Sequence, residues 1–171
     1  NYKYPDIFID VNKSISTKID RIGEVYKYKT IVEWKNIPNE RGYDIIALIH
    51  DEQVENIGEP IFNVNYCISN SCFNNSYYMY NKFENGIGIT FKLPEGKIDS
   101  LIIKLSYYVK TKNDFSNLVV TADYKHKLSN TNCKYNNYNL DNDQIKILVN
   151  EDFYDKTNQS KGYWFYSMKE E

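Results

Sequence analysis

An alternating run over residues 23–34 most constrains what this chain can fold into. The run, GEVYKYKTIVEW, opens with a glycine and is filled with β-branched and aromatic residues. In an extended strand, successive side chains point to opposite faces, so one face here carries Tyr26, Tyr28, Thr30, Val32 and Trp34. The pattern predicts a long antiparallel strand with that face in a core and the other mostly in water.

Similar runs recur along the chain, separated by segments rich in Gly, Pro and Asn that are typical of turns. We predict about ten strands, over residues 6–11, 24–34, 43–50, 61–68, 77–80, 87–93, 98–110, 118–124, 144–149 and 163–168. Many short strands of this kind indicate an all-β protein, an antiparallel two-sheet sandwich that is Ig-like or jelly-roll-like, with a barrel as the alternative. The 171 residues favour a single domain over 1–171.

A helix competes with a strand only over residues 142–154. Ile145, Leu148, Val149 and Phe153 would share a helical stripe, yet Ile145, Ile147 and Val149 alternate equally well. Because the flanking asparagines are typical of turns, we predict the strand.

Charge and hydropathy exclude some classes of partner. The formal net charge of −2, from 21 basic and 23 acidic residues, provides no overall field that would favour nucleic acid. No run reaches the roughly 18–20 apolar residues of a membrane-spanning helix, so we expect no transmembrane segment. The first residue is Asn rather than Met, which suggests a mature secreted form or a piece of a longer protein.

The three cysteines leave two possibilities open. Cys67 and Cys72 could form a disulfide if the chain turns at residues 69–71, with Cys133 left free. Alternatively, all three thiols are small buried hydrophobes. With two histidines and no paired ligand motif, we expect no zinc site, and the sequence indicates no metal or cofactor.

Two stretches carry a resemblance to a known family. Residues 11–15 (VNKSI) followed by 23–32 (GEVYKYKTIV), and later residues 93–98 (LPEGKI), resemble the opening and a late turn of the conserved-repeat Ig-like domains of bacterial surface proteins. The resemblance implies an Ig-like sandwich that acts as a spacer or adhesive module of a cell-surface or secreted protein. It implies no catalytic residues.

Lys13 raises a further hypothesis through the same resemblance. Some surface Ig-like domains form an amide between a lysine of the first strand and an asparagine of the last, and Asn150 is the candidate partner here. The simpler interpretation, which we favour, is an exposed lysine on an edge strand.

No local signature indicates catalysis. His50 ends a predicted strand and His126 lies between two lysines, neither beside a nucleophile motif, so we predict an exposed loop position for His126 and no enzyme. The paired carboxylates are expected at solvated loop ends, and Asp141 to Asp143 reads as a turn rather than a calcium loop.

The chain is unusually aromatic, with 17 Tyr and 8 Phe, which is more than one small core can hold. Exposed rings can anchor protein interfaces or stack on sugars, although they can also pair across strands. The predicted binding residues are Tyr77, Tyr78, Tyr80, Tyr135, Tyr138 and Trp164.

These observations predict a non-enzymatic, extracellular or cell-surface module, with a binding or structural role and Tyr- and Asn-rich loops that contact a protein or glycan ligand. The alternative is a carbohydrate-recognition module or the receptor-binding part of a secreted toxin, with Tyr77, Tyr78, Tyr80 and Trp164 as a sugar platform. An enzyme would need His50 or His126 in a pocket beside an acid or a nucleophile.

Overall fold

A computed structural model describes residues 7–113, 117–129, 137–156 and 158–165. The described residues form thirteen β-strands and one short 3₁₀ helix, and they contain no α-helix. The strands are β1 (Ile7–Ile9), β2 (Lys13–Ile22), β3 (Val25–Trp34), β4 (Tyr43–Ile49), β5 (Val54–Ile68), β6 (Ser71–Asn75), β7 (Met79–Phe83), β8 (Gly86–Lys92), β9 (Ser100–Thr111), β10 (Leu118–Lys125), β11 (Tyr138–Asp141), β12 (Gln144–Ile147) and β13 (Asn158–Trp164), and the 3₁₀ helix is Glu151–Phe153. No described helix is long and apolar enough to cross a membrane.

Two antiparallel sheets form the body of the molecule. The first sheet has the strand order β1-β2-β3-β9-β5-β6, and the second has the order β13-β10-β4-β8-β7. Their facing sides enclose the main hydrophobic core, which includes Tyr28 and Val32 of β3, Ile89 and Phe91 of β8, and Leu105 of β9. The architecture confirms the predicted all-β, two-sheet antiparallel sandwich.

Strand β3 shows why the pattern in the sequence was informative. All five residues predicted to face the core are buried, whereas Glu33 on the other face is exposed. The strand pairs with β2 on one side and β9 on the other, so its alternation is repeated in the neighbouring strands.

Strands β2, β6 and β11 were not predicted, so the strands number thirteen rather than about ten. β2 alternates isoleucine with Ser, Thr, Lys and Asp, and β6 is exposed at all five positions, so neither has a strong apolar face. Residues 58–60 (GEP), one of the segments whose composition is typical of a turn, are instead an irregularity inside the long strand β5, where the register shifts between Ile57 and Ile61. Residues 144–147 form a strand, as predicted over the helix.

A third layer covers the outer face of the second sheet. Strands β11 and β12 form a separate hairpin, and its apolar side chains pack on Ile45, Ala47 and Ile49 of β4 in a second core. Gly88 makes room for this layer, because a Cβ atom there would lie 2.3 Å from the hydroxyl of Tyr138. The outer face of the first sheet has no such cover among the described residues, and Lys18 on it is exposed.

The two lateral sides of the sandwich differ. On one side β13 lies against β2 so closely that a Cβ at Gly162 would be 3.0 Å from the backbone of Lys18. On the other side, the outermost strands β6 and β7 have no further described strand beside them. A disulfide joins Cys67 and Cys72, which face one another across the β5–β6 hairpin, and the tight turn between them has Ser69 at a positive φ of 54°. This resolves the two cysteine alternatives for that pair, and Cys133 lies outside the described residues.

Candidate functional site

Three of the predicted binding residues lie together on the side of the sandwich where β6 and β7 are the outermost strands, which we call the open side. Tyr77 and Tyr78 belong to the link between β6 and β7, and Tyr80 lies in β7. Tyr77 is 73% exposed and Tyr80 is 36% exposed, and Phe73 of β6 is 48% exposed on the same side. We call Phe73, Tyr77, Tyr78 and Tyr80 the aromatic edge.

Part of the aromatic edge is held in place by contacts to β5. The ring of Tyr78 packs on Phe62 with centroids 5.2 Å apart, and its hydroxyl donates to the carbonyl of Pro60 at 3.1 Å. Tyr80 lies 6.2 Å from Tyr78 and donates to the carboxylate of Glu59 at 3.3 Å. Tyr77 is left as the projecting ring, and its hydrogen bond within the described residues is a local one, from its backbone N–H to the side chain of Asn75.

The other predicted binding residues lie elsewhere. Tyr138 is only 5% exposed and packs in the third layer, where its hydroxyl accepts from the side-chain amide of Asn81. It therefore does not lie on the surface as predicted, because Gly88 creates space for its ring. Trp164 is half-buried against Tyr26, with the two rings 5.7 Å apart, and does not join the aromatic edge. Tyr135 lies outside the described residues.

A second grouping, which the sequence did not predict, is a set of ionisable side chains of which three are buried and one, Asp155, is half-buried. We call Lys13, Asp44, His126 and Asp155 the charge cluster. They come from β2, from β4, from the residue after β10 and from the segment before β13, so the cluster joins both sheets. It borders a cleft of about 470 Å³ whose rim includes Glu40.

Asp44 is the centre of the charge cluster and is fully buried. Its carboxylate accepts from the hydroxyl of Tyr124, from the backbone N–H of Lys127 at 2.9 Å and from the Nδ1 of His126 at 3.0 Å. Three donor groups therefore converge on the carboxylate of Asp44, which stays shielded from solvent.

His126 is buried, so the predicted exposed loop position is wrong. Its Nδ1 faces Asp44 and its Nε2 faces Glu40 at 3.4 Å, an arrangement in which both ring nitrogens donate. Burial alone would lower the pKa of His126, but the hydrogen bond and charge of Asp44, together with Glu40, raise it overall. The imidazolium form is thus the one that this environment stabilises.

Lys13 is also buried rather than exposed as we favoured. Its ammonium lies 3.5 Å from Asp155, 3.7 Å from Asp10 and 4.7 Å from the centre of the Trp34 ring. Asn150, its hypothetical crosslink partner, is exposed ahead of the 3₁₀ helix, whereas the side chains recorded around the Lys13 ammonium are those of Asp155, Asp10 and Trp34. The amide that shares Asp155 with Lys13 is Asn158, which donates to the carboxylate at 2.9 Å.

The charge cluster brings a histidine beside acids, which is part of what an enzyme would need. A general base, however, must offer an unprotonated nitrogen to a nucleophile, and both nitrogens of His126 face carboxylates. No hydroxyl or thiol hydrogen-bonds to His126 among the described residues, and in this same part of the chain no three His, Cys, Asp or Glu side chains could hold a metal ion. The arrangement is therefore suited to stabilising the packing of strands from the two sheets against one another.

His50, the other histidine, is buried against Tyr28 and Tyr107 with ring centroids 6.3 and 6.0 Å away. Burial lowers its pKa, so the neutral ring is favoured, and its Nδ1 pairs with the carbonyl of Asp51 at 2.7 Å. His50 is a core residue. The feature of the sequence that indicates the charge cluster is Asp44, a single charged residue at the start of the apolar run of β4, because a buried charge needs partners.

Neither the scan against protein-family models nor the search of curated proteins gave a match. Among solved structures, the collagen-binding subdomain of the Enterococcus faecalis surface protein ACE is 8% identical, with a TM-score of 0.47, and the match covers 95% of this chain and 98% of that one. The collagen-binding domain of a Staphylococcus aureus adhesin is 9% identical, with a TM-score of 0.45, over 86% of this chain and 95% of that one.

The major pilin subunit BcpA of Bacillus cereus is a third similar structure. It is 12% identical with a TM-score of 0.47, and the match covers 88% of this chain but only 38% of the pilin. These neighbours are domains of bacterial surface adhesins and a pilin. At such identities and TM-scores no residue role is transferred from them to this chain, and function is argued from its own side chains.

Proposed function

We propose that this chain is a non-enzymatic binding module of a surface or secreted protein and that it contacts a protein ligand through the aromatic edge. The observation that carries the proposal is the exposure of Tyr77, a residue 73% exposed on the open side of the sandwich. A large exposed ring supplies contact area at low conformational cost, which is why tyrosines are common at binding interfaces.

The surroundings of Tyr77 support this role. Tyr78 and Tyr80 are anchored to Pro60 and Glu59, so the projecting ring is mounted on an ordered support. Strand β6 contains no charged residue and is exposed throughout, so a ligand that lies on β6 desolvates no charge of that strand.

The disulfide supports the proposed location of the chain at the cell surface or outside the cell. Bonds of this kind form and persist in oxidising compartments and are rare in the cytosol. Because Cys67 and Cys72 are bonded in the hairpin that carries Phe73, the aromatic edge depends on that environment for its covalent support.

Binding to an immobilised panel of collagens and other matrix proteins tests the proposal, with wild type, Tyr77→Ala and Phe73→Ala compared. We expect Tyr77→Ala to weaken binding on the order of thirtyfold, the size of a typical hot-spot loss. Leu148→Ala is the matched control, because Leu148 is 51% exposed at the end of the third layer. Binding that Tyr77→Ala leaves unchanged would overturn the proposal.

A glycan array with the same variants addresses the carbohydrate alternative. Specific glycan binding that disappears with Tyr77→Ala would assign the aromatic edge to sugar recognition instead. In both assays, circular dichroism of each variant confirms that the strand content is retained.

A further inference from the structure

The outer face of the first sheet carries a concentration of lysines. Lys18 of β2, Lys27 and Lys29 of β3, and Lys104 of β9 all occupy outward positions, alternating with the buried residues of their strands. We call these four residues the lysine face. It lies on the opposite side of the first sheet from the main core.

The strand register places these lysines close together. Lys18 and Lys29 are directly paired across β2 and β3, which puts their Cβ atoms about 5 Å apart. Lys27 is two residues from Lys29 on the same strand, about 7 Å away. Lys104 pairs with Ile31, the next outward residue after Lys29, so it is a diagonal neighbour of Lys29.

Few carboxylates balance these charges. Asp20 pairs with Lys18 at 3.3 Å, and the ammonium of Lys27 lies over the ring of Tyr108 at 5.9 Å. Lys29 and Lys104 have no ion pair within the described part of the chain. The lysine face is therefore a local positive surface on a chain whose formal net charge is −2.

This arrangement has a cost in the free protein, because like charges directly opposite on neighbouring strands repel. Partial burial and the ammonium groups of Lys27, Lys104 and Lys18 lower the pKa of Lys29, while Asp20 acts in the opposite direction. A bound anion would relieve this repulsion.

We propose that the lysine face binds a linear anionic polysaccharide, carrying sulfate or carboxylate groups, that lies across β2, β3 and β9. The surface is a sheet face rather than a pocket, and a single surface lysine contributes little by itself. A polymer that engages several lysines at once gains from their combined effective concentration, which a single small anion cannot do.

Two observations favour a polysaccharide over a nucleic acid. The Cys67–Cys72 disulfide is expected in an oxidising, extracytoplasmic compartment. Single-stranded nucleic acids also bind through exposed aromatic rings that stack on bases, whereas Tyr108, which lies beside the lysine face, is half-buried and lies under the ammonium of Lys27.

Heparin is the probe, and its affinity is measured at low and at physiological salt for the whole chain. The triple variant Lys18→Gln, Lys29→Gln, Lys104→Gln should lose on the order of a hundredfold in affinity at low salt. The matched control, Lys82→Gln, Lys97→Gln, Lys146→Gln, changes the net charge equally at exposed positions outside β2, β3 and β9 and should stay within about threefold of wild type. Added salt should weaken wild-type binding, because exposed charges are screened.

Equal losses in the two triple variants would mean unspecific attraction and would overturn the proposal, as would a wild type without affinity for heparin. Single-stranded DNA of equal charge that binds as tightly as heparin would overturn the choice of polysaccharide. The lysine-face variant should melt no lower than wild type, since it removes repulsion. Should it nonetheless fail to fold, the single variant Lys29→Gln should still lose several-fold in heparin affinity, and an unchanged affinity would contradict the proposal.

Discussion

Asp123 of β10 is a carboxylate held in an environment that disfavours its charge. It is fully buried beneath the third layer, where one oxygen accepts from the backbone N–H of Ile145 at 2.6 Å. The other oxygen has no hydrogen-bond partner among the described residues. Burial raises the pKa of Asp123 to about 7, despite the opposing hydrogen bond from Ile145 and charge of Lys125.

The raised pKa makes the stability of the fold depend on pH. In the unfolded chain an aspartate has a pKa of about 3.9, so between about pH 4 and pH 7 the folded state binds the additional proton. The contribution of Asp123 therefore becomes less favourable as the pH rises through that window.

Asp123→Asn should remove this dependence, since asparagine keeps an oxygen for Ile145 and carries no charge. We expect the variant to be about 2–4 kcal/mol more stable than wild type at pH 8 and close to wild type at pH 4. Urea unfolding at both pH values measures the difference. A stabilisation of equal size at the two pH values would contradict the assignment to ionisation.

At the scale of residues, sequence reasoning was reliable where a pattern repeats and weak where a partner is distant. The alternation of β3 predicted which of its side chains are buried. The burial of His126 depends on Asp44, which is 82 positions away, and two flanking lysines suggested exposure instead. Tyr138 was likewise predicted to lie on the surface, because the sequence does not show that Gly88 leaves space for its ring.

Among the elements, the β11–β12 hairpin depends on one close contact for its position. A Cβ at Gly88 would lie 2.3–2.8 Å from three atoms of the Tyr138 ring and hydroxyl, so the ring cannot remain in place once a side chain is added. The hairpin packs on β4 through this tyrosine together with Leu140, Ile145 and Ile147.

Gly88→Ala should therefore loosen the third layer while the two-sheet body persists. We expect a loss of about 1–3 kcal/mol, typical of overpacking, and faster limited proteolysis within residues 138–147. Tyr138→Leu, which vacates part of the space, should recover stability when it is added to Gly88→Ala. Strictly additive effects of the two changes would show that the contact is unimportant.

The elements that could not be predicted share a physical cause. β6 is a strand because it pairs with β5 through a tight turn and a disulfide, and its own exposed residues give no periodic signal. β11 is stabilised by burial against another sheet, which is a tertiary effect. The aromatic edge was partly foreseeable, since Tyr77, Tyr78 and Tyr80 are close in sequence, whereas the charge cluster required the fold.

In the whole molecule, the approach of β13 to β2 closes one side of the sandwich. A Cβ atom added at Gly162 would lie 3.0–3.2 Å from three backbone atoms of Lys18. Backbone cannot rotate away as a side chain can, so a larger residue there must push the two sheets apart.

Gly162→Ala should destabilise the protein by about 1–3 kcal/mol, which corresponds to a fall in Tm of roughly 3–10 °C for a chain of this size. Gly42→Ala is the control, because its added Cβ would make ordinary contacts of 3.6 Å and beyond. Thermal unfolding followed by circular dichroism measures both. Equal Tm values for the two variants would show that the sheets have room to adjust at Gly162.

The two-sheet architecture was predictable because each sheet repeats the same period of two over many residues. The sequence did not predict the order of strands, the third layer or the difference between the two lateral sides. These features depend on contacts between β2 and β13, or between β4 and the β11–β12 hairpin, and the contacting elements are far apart in sequence.

The disulfide between Cys67 and Cys72 encloses only the tip of the β5–β6 hairpin, because four residues separate the two cysteines in the sequence. A protease that cleaves after Ser69 would consequently leave both new ends tethered beside one another. Mechanical tension transmitted along the polypeptide would likewise bypass the tip, because the covalent path through the sulfurs is the shorter one.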